Sequence, residues 1–285
     1  MSIQQVIEKF QRRLIVTKRP ATVQYYQFYF SLMKKYLGTI EVQSIDEDVI
    51  LTFIVNLKQH HPNMKNITIN KVLSALKTTL KYGANQTIAI TRLSESKTLI
   101  PLIPLQTIDR LLVELHAKPH QPVSLRNYLI VKILLETGLR MNELLHLEKK
   151  HVDFSSQTIL VEMTKTHAHR IVCFRDETEM DLKAWMAIHP HVPHLFYNLK
   201  TFQRMTTSSI ESMFYRIKKR YHNQDNITPH KWRHTFATNF LRKGGDLETL
   251  RMLLGHSNLK TTQKYLHLNP QDIRKTYQAI MNKPR

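Results

Sequence analysis

Apolar residues recur at helical spacing through the first ninety or so positions. Tyr25, Tyr29, Leu32 and Tyr36 fall at i, i+4, i+7 and i+11, while Arg19, Lys34 and Lys35 lie off that row, the arrangement of a helix that buries one face. Core packing is the ordinary use of such a row, and stacking on bases is the alternative. Two further helices are predicted: Asp46 to Gln59, which opens on acidic residues, and Thr68 to Tyr82, stopped by Gly83. The period breaks between Arg92 and Pro104, where R-L-S-E-S-K-T-L-I-P-L-I-P combines two prolines with small polar residues and reads as a linker. Helical spacing resumes at Thr107 to Leu115 and at Leu125 to Thr137, the latter closed by Gly138.

The texture then changes. Thr158-Ile159-Leu160-Val161 and Arg170-Ile171-Val172-Cys173-Phe174 read as two strands flanking a turn around Lys165 to His169, and helical spacing returns from Phe202 onward. The expected fold is therefore mostly α with a small β-sheet in the second half, an α+β class, preceded by a small helical domain.

The C-terminal third concentrates the polar residues that can do chemistry. It reads T-P-H-K-W-R-H-T-F-A-T from Thr228, then L-L-G-H, then T-T-Q-K-Y. Thr228-Pro229 should open a helix that runs to Gly244-Gly245, because Thr caps helix starts and Pro suits the first helical position. His230 and Arg233 then share one face. A second short helix, opened near Asp246 and carrying Leu247, Leu250, Leu253 and Leu254, ends at Gly255 and releases His256 into a turn. Tyr265 follows on a segment that Thr261 or Thr262 can cap. Cations and imidazoles gathered around a phenol suit the handling of a phosphate. Upstream, Arg140 follows Gly138-Leu139 just before Asn142, the expected cap of the next helix. It either reaches a cleft where an anion sits beside free helix N–H groups, or pairs with Glu143 on the surface.

Charge narrows the choice of partner. Among 285 residues, Lys and Arg number 42 against 22 Asp and Glu, a formal net charge of +20 and a pI near 10.0, which favours a polyanion and above all nucleic acid. A basic surface that only solubilises the chain is the plainer alternative. Cys173 is the single cysteine, so neither an internal disulfide nor a cysteine-based zinc site can form, which fits a reducing cytoplasm. Its place in an apolar run predicts a small core residue. Met1 to Phe10 lacks the pattern of an export signal and no apolar run is long enough to span a bilayer, so a soluble cytoplasmic protein is expected. With six glycines and no Gly-rich phosphate loop, ATP is not implied.

Taken in order, Arg140 in T-G-L-R-M-N-E-L, Lys165 on a strand turn, His230-x-x-Arg233, His256 in L-G-H and Tyr265 resemble the tyrosine recombinases, also called the phage integrase family. The resemblance covers nearly the whole chain and is most specific in H-K-W-R-H-T-F-A-T, L-L-G-H-S and T-T-Q-K-Y. In the N-terminal half it rests on helical character and on Thr22 to Tyr36. It implies a helical, SAM-like core-binding domain at residues 1–91, a linker at 92–104, and a catalytic domain at 105–285 with a tail helix from about 270. It also implies that the two domains close on double-stranded DNA as a C-shaped clamp, and that four protomers assemble on two recombination sites, either as a homo-tetramer or with a paired homologous recombinase.

By position, the resemblance makes Tyr265 the nucleophile that becomes joined to a 3′ phosphate. Arg140 and Arg233 would hold the non-bridging oxygens, Lys165 would protonate the departing 5′ oxygen, and His230 and His256 would assist proton transfer. Elementary chemistry asks for the same parts. A phenol of pKa near 10 is only about 0.1% ionised at pH 7 and needs a base or nearby positive charge. Two guanidinium groups supply that charge and stabilise a pentacoordinate transition state. Because a phosphotyrosyl ester conserves the bond, rejoining needs no ATP, and neither metal nor cofactor is expected.

Rival sites are weaker. Pro190 and Pro193 break up His189, His191 and His194, which read as a polar loop rather than a metal site. His167 and His169 flank the Lys165 turn and suit phosphate or solvent. Asp109, Glu136 and Asp176 form no set for a metal-dependent transposase. Tyr221, after Lys218-Lys219-Arg220, and Tyr277, in the tail, are the other tyrosines to weigh as nucleophiles. Ile273, Tyr277 and Ile280 give that tail a narrow apolar stripe, for packing in its own subunit or in a neighbour. The expected role is site-specific recombination: Xer-type dimer resolution, or a transposon-borne resolvase or integrase without an arm-binding domain. A type IB-like topoisomerase and a non-catalytic DNA-binding regulator on the same scaffold are the alternatives.

Overall fold

Ser2 opens the first helix, α1 (Ile3–Thr17), with a reciprocal cap in which its amide donates to the Gln5 side chain at 2.9 Å and its hydroxyl accepts from the Gln5 amide. Three helices follow in a computed structural model that describes residues 1–95, 102–118, 120–162, 169–220, 227–256 and 258–263: α2 (Pro20–Leu37), α3 (Glu47–His60) and α4 (Asn66–Ala84). The chain divides into two compact units, Met1–Thr98 and Leu99–Arg285.

The core of the first unit is built from Ile3, Ile7 and Phe10 of α1, Phe30, Met33 and Leu37 of α2, Phe53 and Leu57 of α3, and Ile69, Val72, Leu76 and Leu80 of α4. The apolar row expected on α2 is rotated: Tyr29 and Leu32 are buried, Tyr36 is half-buried, and Tyr25 stands 52% exposed. The buried face runs through Tyr29, Phe30, Leu32, Met33 and Leu37, so the four-residue apolar row takes in one position from the solvent side. Gly83 also differs from expectation. It lies within α4, which ends on Asn85 in the left-handed conformation (φ 56°). Its missing side chain serves packing, because a Cβ would come within 2.6 Å of Val6 Cγ1 on α1. Beyond α4, Asn70 fixes the extended chain by donating to the Leu93 carbonyl at 2.9 Å and accepting from its amide at 2.9 Å. Ile103, at the other end of the expected linker, is in the core of the second unit.

The second unit contains α5 (Leu105–His116), α6 (Pro122–Thr137) and α7 (Met141–Leu145), then a three-stranded antiparallel sheet of β1 (Val152–Asp153), β2 (Thr158–Glu162) and β3 (His169–Cys173) in that order, with Ile159 opposite Val172 and Val161 opposite Arg170. It continues through α8 (Asp176–Ile188), α9 (Thr207–Arg220), α10 (Pro229–Arg242), α11 (Leu247–Leu254) and α12 (Leu259–Gln263). Helix α6 is buried on most sides, through Leu129, Ile130, Val131, Ile133 and Leu134, and packs against α5, α8 and α10. Sequence spacing did not single out α8, whose Leu182 and Trp185 are fully buried in the same core.

Cys173 is exposed, contrary to the expectation of a core thiol. Alternation along β3 decides this: Arg170 and Val172 face inward, while His169, Ile171 and Cys173 face out. Among the described residues no helix is long and apolar enough to cross a membrane.

Candidate active site

Thr228 and Pro229 start α10 as expected, although the Thr228 side chain makes no capping bond. The helix buries Trp232, Arg233, Thr235, Phe236 and Ala237, and leaves His230 exposed, its ring 5.2 Å from that of His234 and edge-on to it. Helix α11 is capped by Asp246, whose carboxylate accepts from the Thr249 amide at 2.8 Å. It ends on Gly255, so that the next residue, His256, turns back into the protein and is buried.

Arg233 and His256 meet there. Arg233 is 3% exposed, donates from Nη1 to the Gly138 carbonyl at 2.8 Å and from Nη2 to the Leu254 carbonyl at 2.6 Å, and places Nη2 3.0 Å from His256 Nε2. A guanidinium only donates. His256 Nε2 is therefore the acceptor, and the ring proton resides on Nδ1, 2.9 Å from Thr262 Oγ1. Thr261 and Thr262 lie within α12 rather than capping it. Thr262 is fully buried and spends its hydroxyl on the histidine.

Glu143 organises the arginines. Arg140 donates to it twice, from its amide to Oε2 at 2.7 Å and from Nη1 to Oε1 at 2.8 Å. Arg170 grips the same carboxylate with both terminal nitrogens, at 2.9 and 2.7 Å, and Arg233 Nη1 stands 3.9 Å from Oε2. Burial alone would raise the Glu143 pKa, but the Arg170 fork and the Arg140 bonds overcome it and hold the carboxyl at about 2. Three guanidinium groups against one carboxylate leave the site positive, the condition for receiving a phosphate. Among the described residues, Arg140 has only Nη1 engaged, and its side chain is 41% exposed. Arg140 itself precedes α7 as the N-cap residue, and Asn142 lies inside the helix.

Of the six site residues expected from sequence, Arg140, Arg233 and His256 converge on this network and His230 lies on the same helix as Arg233. Lys165 and Tyr265 lie outside the described residues, as do the rival tyrosines Tyr221 and Tyr277, the loop histidine His167 and the whole tail. Sequence reading gave Glu143 only the role of a surface partner and gave Arg170 none. A charged residue at an inward position of an alternating strand was the available signal. Among the described residues no group of three or more His, Cys, Asp or Glu is placed to hold a metal.

The phage integrase family model matches residues 103–272 and a phage integrase SAM-like domain model matches residues 2–97. The chain belongs to the phage integrase family. It is 32% identical over 203 residues to the tyrosine recombinase XerC of Actinobacillus pleuropneumoniae, covering 70% of this chain and 65% of that protein. Against XerC of Staphylococcus aureus it is 37% identical over 159 residues, 54% of this chain and 53% of the relative. The chain thus spans between about half and two thirds of the length of these curated relatives. In fold it is similar to the Tn1549 transposon integrase solved with transposon right end DNA (TM-score 0.81, 19% identity, 99% of this chain and 100% of that one). It is also similar to the XerH recombinase bound to palindromic difH substrate in a post-cleavage complex (TM-score 0.73, 21% identity, 97% and 84%).

Proposed function

We propose that this protein is a site-specific DNA recombinase that breaks and rejoins strands through a 3′-phosphotyrosyl intermediate. The observation that carries this reading is the convergence of Arg140, Arg233 and His256 around Glu143, a preorganised cationic site in a family whose relatives include the XerC recombinases. Residues 1–91 serve as the core-binding domain, 92–104 as the connector and 105–285 as the catalytic domain. The excess of 42 basic over 22 acidic residues supports double-stranded DNA as the partner.

In this mechanism Tyr265 is the nucleophile. Its phenolic oxygen attacks the scissile phosphorus and gives up its proton to a histidine, His230, or His256 once its Nε2 is released from Arg233. Arg140 and Arg233 bind the non-bridging oxygens and stabilise the extra charge of the pentacoordinate state. The bond to the 5′ oxygen breaks and Lys165 donates the proton that makes the departing alkoxide a hydroxyl. Attack by a 5′ hydroxyl from the partner duplex reverses the same steps, so the scheme calls for neither a nucleotide nor a metal. Four copies on two sites, in the cytoplasm, are the assembly that strand exchange between duplexes demands. The tail from about residue 270 docks on a neighbouring copy.

Covalent capture tests the reading. Nicked duplexes with a randomised core are incubated with the full chain, and SDS-resistant complexes are recovered and sequenced. A single recovered site that then recombines between two plasmid copies is the expected result. Scattered sites with relaxation of supercoiled plasmid would identify a topoisomerase instead, and the absence of any adduct would leave only a DNA-binding role.

A further inference from the structure

Arg170 stands apart from the residues expected to touch DNA. It is 9% exposed, and each nitrogen of its guanidinium has an acceptor: Nε the carbonyl of Leu253 at 2.7 Å, and Nη1 and Nη2 the two oxygens of Glu143 at 2.9 and 2.7 Å. These bonds join three segments. Arg170 is the second residue of β3. Glu143 lies on α7 and holds Arg140, while Leu253 is in the last turn of α11, three residues before His256.

The neighbouring glycine fits the same device. Gly255 adopts φ +64° to end α11, and a Cβ there would lie 3.0 Å from Arg170 Nη1 and 3.1 Å from its Cδ. The turn that delivers His256 therefore closes directly over the arginine. A planar fork is the shape that satisfies both carboxylate oxygens while a third nitrogen reaches a carbonyl; an ammonium group has the charge without that geometry.

We infer that Arg170 is a positioning residue for the transesterification, setting Arg140 and the His256 turn at working distance without contacting the phosphate. The inference rests on the function proposed above. With Arg170 absent, Glu143 keeps its charge and draws Arg140 and Arg233 inward as its remaining partners. Cleavage then suffers and DNA affinity does not.

The test compares wild type, Arg170→Lys and Arg170→Ala as full chains on a nicked duplex bearing the site recovered by covalent capture with wild type. DNA affinity is measured by mobility shift, and the single-turnover rate of adduct formation is measured at saturating protein. We expect Kd within about threefold of wild type for both variants, an adduct rate at least tenfold lower for Arg170→Lys, and a larger loss for Arg170→Ala that millimolar guanidinium partly restores. A purely structural role would lower Tm and leave the rate per bound complex intact, and that result overturns the inference even if Arg170→Ala fails to fold, because Arg170→Lys keeps the charge. Parallel losses of affinity and rate would make Arg170 a DNA contact and overturn it equally. A wild-type protein that forms no adduct overturns the functional reading and this inference with it.

Discussion

Arg233 and His256 stand 23 positions apart in sequence and 3.0 Å apart in space, guanidinium Nη2 to imidazole Nε2. The contact makes one unit of α10 and the end of α11. It also uses up donors of Arg233 on the Gly138 and Leu254 carbonyls, so the guanidinium is held in a fixed orientation before any substrate arrives. Arg233→Ala should therefore slow adduct formation by at least about a hundredfold, roughly 3 kcal/mol of transition-state stabilisation, with DNA affinity changed by only a modest factor. Equal losses in both would mean that Arg233 anchors the DNA backbone.

Arg233 fixes the proton of His256 on Nδ1, and the Thr262 hydroxyl accepts it. Thr262→Val removes the acceptor from Nδ1 and leaves a buried donor unpaired, at a cost of about 1–3 kcal/mol. We expect a lower Tm and about tenfold slower adduct formation, with the Nδ1–H tautomer, held by Arg233, retained in 15N spectra of the imidazole. Loss of that tautomer in the variant would show that Thr262, and not Arg233, fixes it.

Glu143 gives the site a defined acid limit. Its folded pKa is held at about 2, below the ordinary value of 4.5, so the stabilisation is complete above about pH 4.5 and is lost as pH falls toward 2, an effect on the order of 3 kcal/mol. Glu143→Gln should be destabilised at neutral pH because Arg170 and Arg233 lose their anion. The gap in unfolding free energy between wild type and variant should narrow between pH 4.5 and 2. A gap constant across that window would remove Glu143 from the ion network.

Deletion of residues 271–285 separates two uses of the tail. Docking on a neighbour predicts that single-site binding survives while cooperative assembly on paired sites, followed by native gel or light scattering, falls by an order of magnitude or more. Intact assembly would assign the tail to its own subunit.

Much of this was legible in the chain. Helix starts at Asp46 and Thr228-Pro229, and stops at Gly138 and Gly255, follow from local backbone chemistry, and they fix where Arg233 and His256 emerge. The pairing of two strands around 158–174 was equally local. What sequence hid were relations between distant segments. The rotation of α2 that exposes Tyr25 depends on what packs against it. Gly83 closes a contact with α1 rather than ending a helix, and Cys173 faces out because alternation along β3 outweighs its own apolarity. The sequence offers Glu143 only as a surface partner for Arg140 and Arg170 only as a strand residue, since only the folded sheet brings one against the other.

The chemistry itself is most directly tested at Tyr265. Tyr265→Phe, on the nicked captured duplex, should bind with wild-type affinity and form no SDS-resistant adduct, while protease digestion of the wild-type adduct should yield a DNA-linked peptide containing residue 265. An adduct that persists in the variant, or a linked peptide containing Tyr221 or Tyr277, would contradict the assignment.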